Sequence, residues 1–161
     1  MSEPGWRVVV LLAGAFRDGI DALHSELAEQ GHPEARPLHG FALQAIGPDG
    51  CTINELGQRL GVSKQAAAKT AAGLEGAGYV VRGSVPGDRR AVLLRRTSLA
   101  EDFLTASAAG FERVMDRWRR RLGVARFDAM VEALADVAGE RPVGDLPGWL
   151  TQQSSIKGDG R

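Results

Sequence analysis

The sequence predicts a mainly helical α+β fold with a small β hairpin, and three observations lead to this prediction. Apolar residues recur every three to four positions along most of the chain, which is the period of a helix with one buried face. The period gives way to short Val- and Leu-rich runs over residues 79–97 and then returns. Glycine and proline separate the periodic segments. A length of 161 residues suits one compact domain.

Composition excludes several classes of protein. One cysteine permits no internal disulfide and no zinc site with several thiolates, and the three histidines lack a neighbouring Cys or carboxylate cluster, so neither a metal nor a cofactor is predicted. No apolar run approaches the ~18 residues of a membrane span. We find no Ser/His/Asp grouping, phosphate loop or carboxylate pair, and therefore predict that the chain is not an enzyme.

The first helix is predicted over residues 6–30. Its apolar residues fall on one stripe: Val9, Leu12, Ala13, Phe16, Ile20, Leu23 and Leu27. The apolar run Val8–Ala15 with small residues at its end also fits a signal peptide, but Glu3 precedes it and the helical pattern continues well beyond it. We therefore expect a cytoplasmic protein.

Local signals place three further helices. Pro37 can open the second, which ends at Gly47-Pro48. Thr52 with Glu55 three residues later forms a capping box for the third, and Ser63 caps a fourth that runs to Ala77. On the fourth helix we expect four residues to face inward: Ala66, Thr70, Leu74 and Ala77.

The predicted hairpin pairs Tyr79–Gly83 with Ala91–Thr97 across the turn Ser84–Asp88. Two more helices follow over residues 98–138, and residues 139–161 form a Gly/Pro-rich tail. The first and last helices carry apolar stripes but have short neighbours to cover them. Packing against a second copy of the chain is the natural way to bury such stripes.

The third and fourth helices, joined at Gly61-Val62-Ser63, have the pattern of a helix-turn-helix. The residues left outward on the fourth helix suit a DNA major groove, because Lys donates to guanine or phosphate, Gln pairs with adenine and Ala accommodates a thymine methyl. These outward residues are Lys64, Gln65, Ala68, Lys69 and Ala72.

Charge is concentrated in the same segment. Residues 52–97 contain eight basic and three acidic residues, a net charge of +5, whereas the remainder carries −5. Such an asymmetry is typical of a phosphate-binding module. Arg89 and Arg90 follow a Gly-Asp turn from which they could enter a minor groove, and we interpret Asp88 as an internal partner that orients an arginine.

These segments resemble the MarR family of winged helix-turn-helix transcriptional regulators. The resemblance lies in NELGQRLGVSKQAAAK, GLEGAGYVVR and PGDRRAVLLRRT and covers about residues 6–138. It implies one domain over residues 1–138, with a DNA-binding winged helix-turn-helix at 38–97 flanked by dimerisation helices at 6–30 and 98–138. Residues Ala72 and Gly73 depart from the polar residues common in the family.

The resemblance also implies what the protein binds. We expect a homodimeric repressor that binds a pseudo-palindromic operator in double-stranded DNA and is released by a small, aromatic effector. The predicted DNA-contacting residues are Thr52, Ser63, Lys64, Gln65, Ala68, Lys69, Arg82, Arg89 and Arg90, with Asp88 orienting the wing. The candidate ligand-binding residues are Phe16, His24, His39, Phe41, Phe103 and Phe111.

Plainer interpretations stay open at this point. The basic residues could form a solvated face and a solubilising loop, and the four phenylalanines could be core residues. Some proteins of this kind sense peroxide through a cysteine, but Cys51 lies before the third helix, which favours a buried thiol. The Ala-rich fourth helix also leaves a second function open, that of a protein-interaction or ligand-binding module without specific DNA readout.

Overall fold

The computed structural model describes residues 4–138, apart from the side chain of Arg89. The predicted tail at 139–161 lies outside the described residues. Within them the chain forms six helices and three strands: α1 (Gly5–Glu29), α2 (Pro37–Ile46), β1 (Cys51–Thr52), α3 (Ile53–Leu60), α4 (Lys64–Gly76), β2 (Val80–Val85), β3 (Asp88–Arg96), α5 (Ser98–Leu122) and α6 (Val124–Ala138). The mainly helical fold with a small sheet confirms the predicted fold class.

The chain divides into two compact units. The first unit contains the residues up to Gly40 together with the segment that starts at Ser98, and the second contains Phe41–Thr97. None of the helices described between residues 4 and 138 combines the length and apolar character that crossing a bilayer requires.

In the first unit, α1 packs against α5. Ile20, Leu23 and Leu27 are buried on α1, and Phe103 and Val114 are buried on α5. Burial of apolar side chains of this size stabilises the pair by about 1.5–3 kcal/mol each.

Ion pairs join the same two helices at their edge. Glu26 of α1 accepts hydrogen bonds from Arg113 Nε at 2.7 Å and from Arg117 Nη1 at 3.0 Å, both on α5. Those two bonds hold the pKa of the Glu26 carboxyl below its usual value. Arg117 is therefore ion-paired with α1.

The α1 stripe is buried only in its C-terminal half. Val9 is 66% exposed and Leu12 is 45% exposed, and the neighbouring Trp6, Val8, Val10 and Leu11 are exposed as well. On α6, Phe127 is buried against α5, where the Arg119 guanidinium lies 4.6 Å from its ring centroid, but Val131, Leu134 and Val137 are exposed. The single chain thus leaves a large apolar surface uncovered on its first and last helices.

The second unit contains the helix-turn-helix. The predicted capping box is present at the start of α3: the Thr52 hydroxyl accepts the Glu55 backbone N–H, and Glu55 Oε2 accepts the Thr52 backbone N–H at 2.7 Å. These bonds lower the pKa of the Glu55 carboxyl. Helix α3 ends at Gly61, whose φ of 65° lies in the left-handed region. The Ser63 hydroxyl then caps α4 by accepting the Ala66 N–H at 3.1 Å.

The prediction of the inward face of α4 is wrong except at Leu74, because the buried residues lie one position further along the chain. Ala67, Ala71 and Leu74 are fully buried, whereas Ala66, Thr70 and Ala77 are only half-buried. The reason is the close approach of α3 and α4. A Cβ built on Gly57 would lie 3.5 Å from Ala67 Cβ and 3.2 Å from the Val62 carbonyl oxygen. The two helices therefore meet through Gly57 and Ala67.

The sheet is three-stranded and antiparallel in the order β1-β3-β2. The sequence predicted only the hairpin and missed β1, where Cys51 pairs with Leu94 and Thr52 with Leu93. The hairpin is longer and its tip tighter than predicted, because β2 extends to Val85 and β3 already starts at Asp88. We call this hairpin, residues 80–96, the wing.

Candidate nucleic-acid interface

Helix α4 presents the predicted DNA-contacting side chains on its outer surface. Lys64, Gln65 and Lys69 are exposed, and Ala68 is half-buried. This orientation follows from the burial of Ala67, Ala71 and Leu74, which fixes the rotation of the helix about its axis. Two lysines and an amide thus face solvent from the first half of α4.

Two predicted contact residues also cap helices. The Ser63 hydroxyl is the N-cap of α4 and is exposed. The Thr52 hydroxyl is half-buried and donates to Glu55 Oε2 at 2.9 Å within the capping box. Both lie at helix N-termini, where backbone N–H groups favour an anion, so their assignment as phosphate contacts stays a prediction.

The wing turns at Pro86-Gly87, where Gly87 has a φ of 83°. Oδ1 of Asp88 accepts the backbone N–H of Arg90 at 2.9 Å and that of Ala91 at 3.3 Å. Asp88 therefore fixes the backbone that carries Arg90, whose side chain is exposed. The side chain of Arg89 lies outside the described part of the structure.

Two basic residues counted in the +5 segment act inside the unit. Arg59 Nη1 donates to the carbonyl oxygens of Ala45 at 2.7 Å and Ile46 at 3.3 Å. Arg96 Nη1 donates to the Leu43 carbonyl at 3.4 Å. Both guanidinium groups thus satisfy carbonyls at the C-terminus of α2, where a positive charge is favourable. Arg96 is accordingly half-buried.

Arg82, a predicted DNA contact, is paired within the unit. Its Nε lies 2.8 Å from Oε2 of Glu75, which links β2 to the C-terminal end of α4. Both side chains are partly exposed, so this pair is worth at most ~1 kcal/mol. The pair neutralises the only acidic residue of α4, and Lys64, Lys69, Arg90 and Arg95 add exposed positive charges to this unit.

The predicted ligand-binding residues differ in their surroundings. In the first unit Phe103 is buried edge-on to the His32 ring at 5.4 Å, Phe16 is half-buried, and Phe111 is 39% exposed. Phe41 is half-buried in the second unit. Phe103 is thus a core residue, and the assignment of Phe16, Phe41 and Phe111 as ligand contacts stays a prediction.

Two of these candidates are histidines. The pKa of His39 is lowered to about 4, chiefly by burial and also by charge repulsion from Arg36 and His24. Burial also lowers the pKa of His24, against an opposing effect of Asp21. Both imidazoles are accordingly neutral at pH 7.

Cys51 is buried, as the sequence favoured, and desolvation raises the pKa of its thiol. Between residues 4 and 138, no three His, Cys, Asp or Glu side chains lie close enough together to hold a metal ion.

Comparison with known proteins gives a match to a family model over part of the chain. The MarR family model matches residues 37–91. Among curated protein sequences, none matches this chain.

Solved structures with the same fold include three whose chains are almost completely covered. A MarR-family transcriptional regulator from Rhodococcus sp. RHA1 has a TM-score of 0.63 and 17% identity over 88% of this chain and 99% of that one. FabT from Streptococcus pneumoniae in complex with DNA has a TM-score of 0.68 and 17% identity, over 84% and 95%. CouR from Rhodococcus jostii RHA1 bound to p-coumaroyl-CoA has a TM-score of 0.58 and 19% identity, over 83% and 93%.

The segment that matches the family model contains α3, α4 and most of the wing. Residues 37–91 thus match the MarR family model, and the described fold is that of these solved winged helix-turn-helix structures.

Proposed function

We propose that this protein is a homodimeric transcriptional repressor that binds a pseudo-palindromic operator in double-stranded DNA and is released by a small, aromatic effector. The observation that carries the proposal is the exposed face of α4, where Gln65 and Lys69 stand outward on a helix whose opposite side is fully buried, with Lys64 exposed at its first position. A helix presented in this way fits the width of the major groove.

The wing supplies the second contact. Arg90 projects from a backbone that Asp88 holds, so its guanidinium is positioned at low entropic cost. Arginine is favoured in narrow minor grooves because the negative potential there is strong. The solved complex of FabT with DNA, which has the same fold, supports the use of this fold on duplex DNA.

The homodimer is proposed from the uncovered apolar surface of the first and last helices. Exposed side chains surround the N-terminal half of α1, from Trp6 to Leu12, and continue on α6 at Val131 and Leu134. A helix that is apolar on every side requires a partner all around it. A second copy of the chain provides a matching surface, and two copies would present two α4 helices to the two halves of a palindrome.

Release by an effector is proposed from the first unit. His24 and His39 are close enough for their charges to interact, are neutral at pH 7, and could donate or accept hydrogen bonds to a ligand. The bound p-coumaroyl-CoA of CouR supports an aromatic acyl compound as the kind of effector to test first. Repression follows if the bound dimer covers a promoter, and the site of action is then the cytoplasm.

Binding to a pool of random duplexes tests this proposal. The protein is incubated with the pool, bound duplexes are sequenced over successive rounds, and its mass is measured by sedimentation. We expect a dimer that enriches a two-fold symmetric sequence with an affinity that falls steeply with salt. A stable dimer that enriches no duplex and shows no salt-dependent DNA binding would favour the alternative of a protein-interaction module.

A further inference from the structure

The outer face of α4 carries very few side chains that can read a base. Its exposed residues beyond Lys69 are Ala72, Gly73, Glu75 and Gly76, and Glu75 is held by Arg82 at 2.8 Å. A Cβ added to Gly73 or Gly76 would meet no atom within 4 Å, so this half of the face is smooth and open. Apart from the paired Glu75, the hydrogen-bonding side chains of this face therefore lie in the first half of the helix.

The three polar residues of that half do not point the same way. At about 100° of rotation per residue, Gln65 and Lys69 lie within ~30° of the direction opposite the buried Ala67, Ala71 and Leu74. Lys64 lies about 130° from that direction, beyond the edge of the face, and is exposed as the first residue of the helix. Gln65 and Lys69 thus project outward from the face, whereas Lys64 does not.

We infer that Gln65 and Lys69 alone carry the direct base readout of α4, with Gln65 selecting adenine and Lys69 selecting guanine. The inference rests on the proposed function, DNA binding through α4, and names the bases of the operator. Gln forms a bidentate pair with adenine N6 and N7, and Lys donates to guanine O6 and N7. Lys64 binds phosphate from beyond the edge of the face and carries no sequence information.

Spacing along the helix fixes the spacing of the two bases. Lys69 follows Gln65 by four positions, which is a rise of about 6 Å along the helix axis. Base pairs stack at about 3.4 Å, so the two selected pairs lie one or two steps apart. Ala68 and Ala72 flank the two readers and leave room for thymine methyl groups. Each half-site therefore has a strongly specified core of two base pairs.

Four variants of the full chain test this inference by selection from the random duplex pool. Gln65→Ala should lose the preference for adenine, roughly tenfold in relative affinity, and keep the preference for guanine. Lys69→Ala should lose the preference for guanine, also roughly tenfold, and keep that for adenine. Gln65→Glu should replace adenine by cytosine at the same position, because a carboxylate accepts from cytosine N4. Lys64→Ala is the matched control, in which binding weakens equally for all sequences.

The outcomes separate this inference from the proposed function. A wild-type preference that survives both Gln65→Ala and Lys69→Ala, or wild-type binding without any preference, overturns the inference and leaves DNA binding in place. Absence of duplex binding by the wild-type protein overturns both. A shift from adenine to cytosine in Gln65→Glu at an unchanged position supports the inference even if the affinity of the alanine variants is too low to measure.

Discussion

The Asp88 carboxylate accepts the backbone N–H of Arg90 at 2.9 Å, so an acidic residue builds the base of a loop that we propose to contact DNA. Two effects of this carboxylate on DNA binding oppose each other. Its charge repels phosphate, but its hydrogen bonds to Arg90 and Ala91 order the loop. Two substitutions separate these effects.

Asp88→Asn keeps an oxygen acceptor at the same place and removes the negative charge. We expect it to bind operator DNA as tightly as the wild type or tighter. Asp88→Ala removes the charge and the acceptor together, and we expect weaker binding because the loop loses its order. Fluorescence anisotropy with a labelled operator measures both. Equal affinities of the two variants would show that the hydrogen bonds have no role in positioning Arg90.

Removal of single exposed charges should flatten the salt dependence of DNA binding. In Lys64→Ala and in Arg90→Ala, the slope of log K against log salt should become less negative by about 1. The reason is that a variant with one phosphate contact fewer releases about one counterion fewer when it binds. Arg120→Ala is a matched control, since Arg120 is also exposed but lies on α5 in the other unit. Slopes unchanged in both interface variants would refute the contacts that we propose.

Two glycines of the helix-turn-helix should respond in opposite ways to alanine. Gly57→Ala brings a Cβ to 3.2 Å from the Val62 carbonyl oxygen, and overpacking of this kind costs about 1–3 kcal/mol. Gly73→Ala adds a methyl group in open space and should stabilise α4 by up to ~1 kcal/mol through its higher helix propensity. Thermal unfolding compares the two. A Gly57→Ala protein as stable as Gly73→Ala would contradict the close packing of α3 on α4.

Local signals explain which parts of this unit the sequence could predict. The Thr52-to-Glu55 capping box, the Ser63 cap and the Gly61 turn involve residues three or four apart, so the sequence alone contains the interaction. The face of α4 was predicted less well, because alanine occurs on several sides of this helix. Only the packing of Ala67 near Gly57 decides which side is buried.

Contacts between distant residues explain what the sequence could not predict. Strand β1 consists of two residues and exists because Cys51 and Thr52 pair with β3. Arg59 and Arg96 find carbonyl partners 14 and 53 residues away, and no pattern in the sequence separates such an arginine from a solvent-exposed one. Counting charges therefore identified the basic unit correctly but overstated the charge available for DNA.

The uncovered surface of α1 should be the dimer interface. In Val9→Asp a charge replaces a side chain that is 66% exposed in the single chain, and its burial against a second copy would be unfavourable. We expect this variant to sediment as a monomer at concentrations where the wild type is a dimer. Val81→Asp is the control, since Val81 is similarly exposed at 52% but lies on the wing. A Val9→Asp protein that remains dimeric would exclude this surface.

His39 should make the stability of the first unit depend on pH. Burial lowers its pKa from 6.5 to about 4, so between these values the unfolded chain binds a proton that the folded chain does not. Stability is therefore complete above pH 6.5 and falls as the pH drops toward 4, by about 1.4 kcal/mol per pH unit for this one group. His39→Gln cannot titrate and should flatten this part of the profile.

Thermal or urea unfolding at a series of pH values between 4 and 8 measures the effect. The slope, and not the stability at one pH, is the readout, because His39→Gln also changes packing. The companion variant His24→Gln removes a half-buried histidine. Burial also lowers the pKa of His24, and we expect a smaller change in slope than for His39→Gln. A His39→Gln profile as steep as that of the wild type would mean that folding does not lower the pKa of His39, and that burial does not keep this imidazole neutral between pH 4 and 6.5.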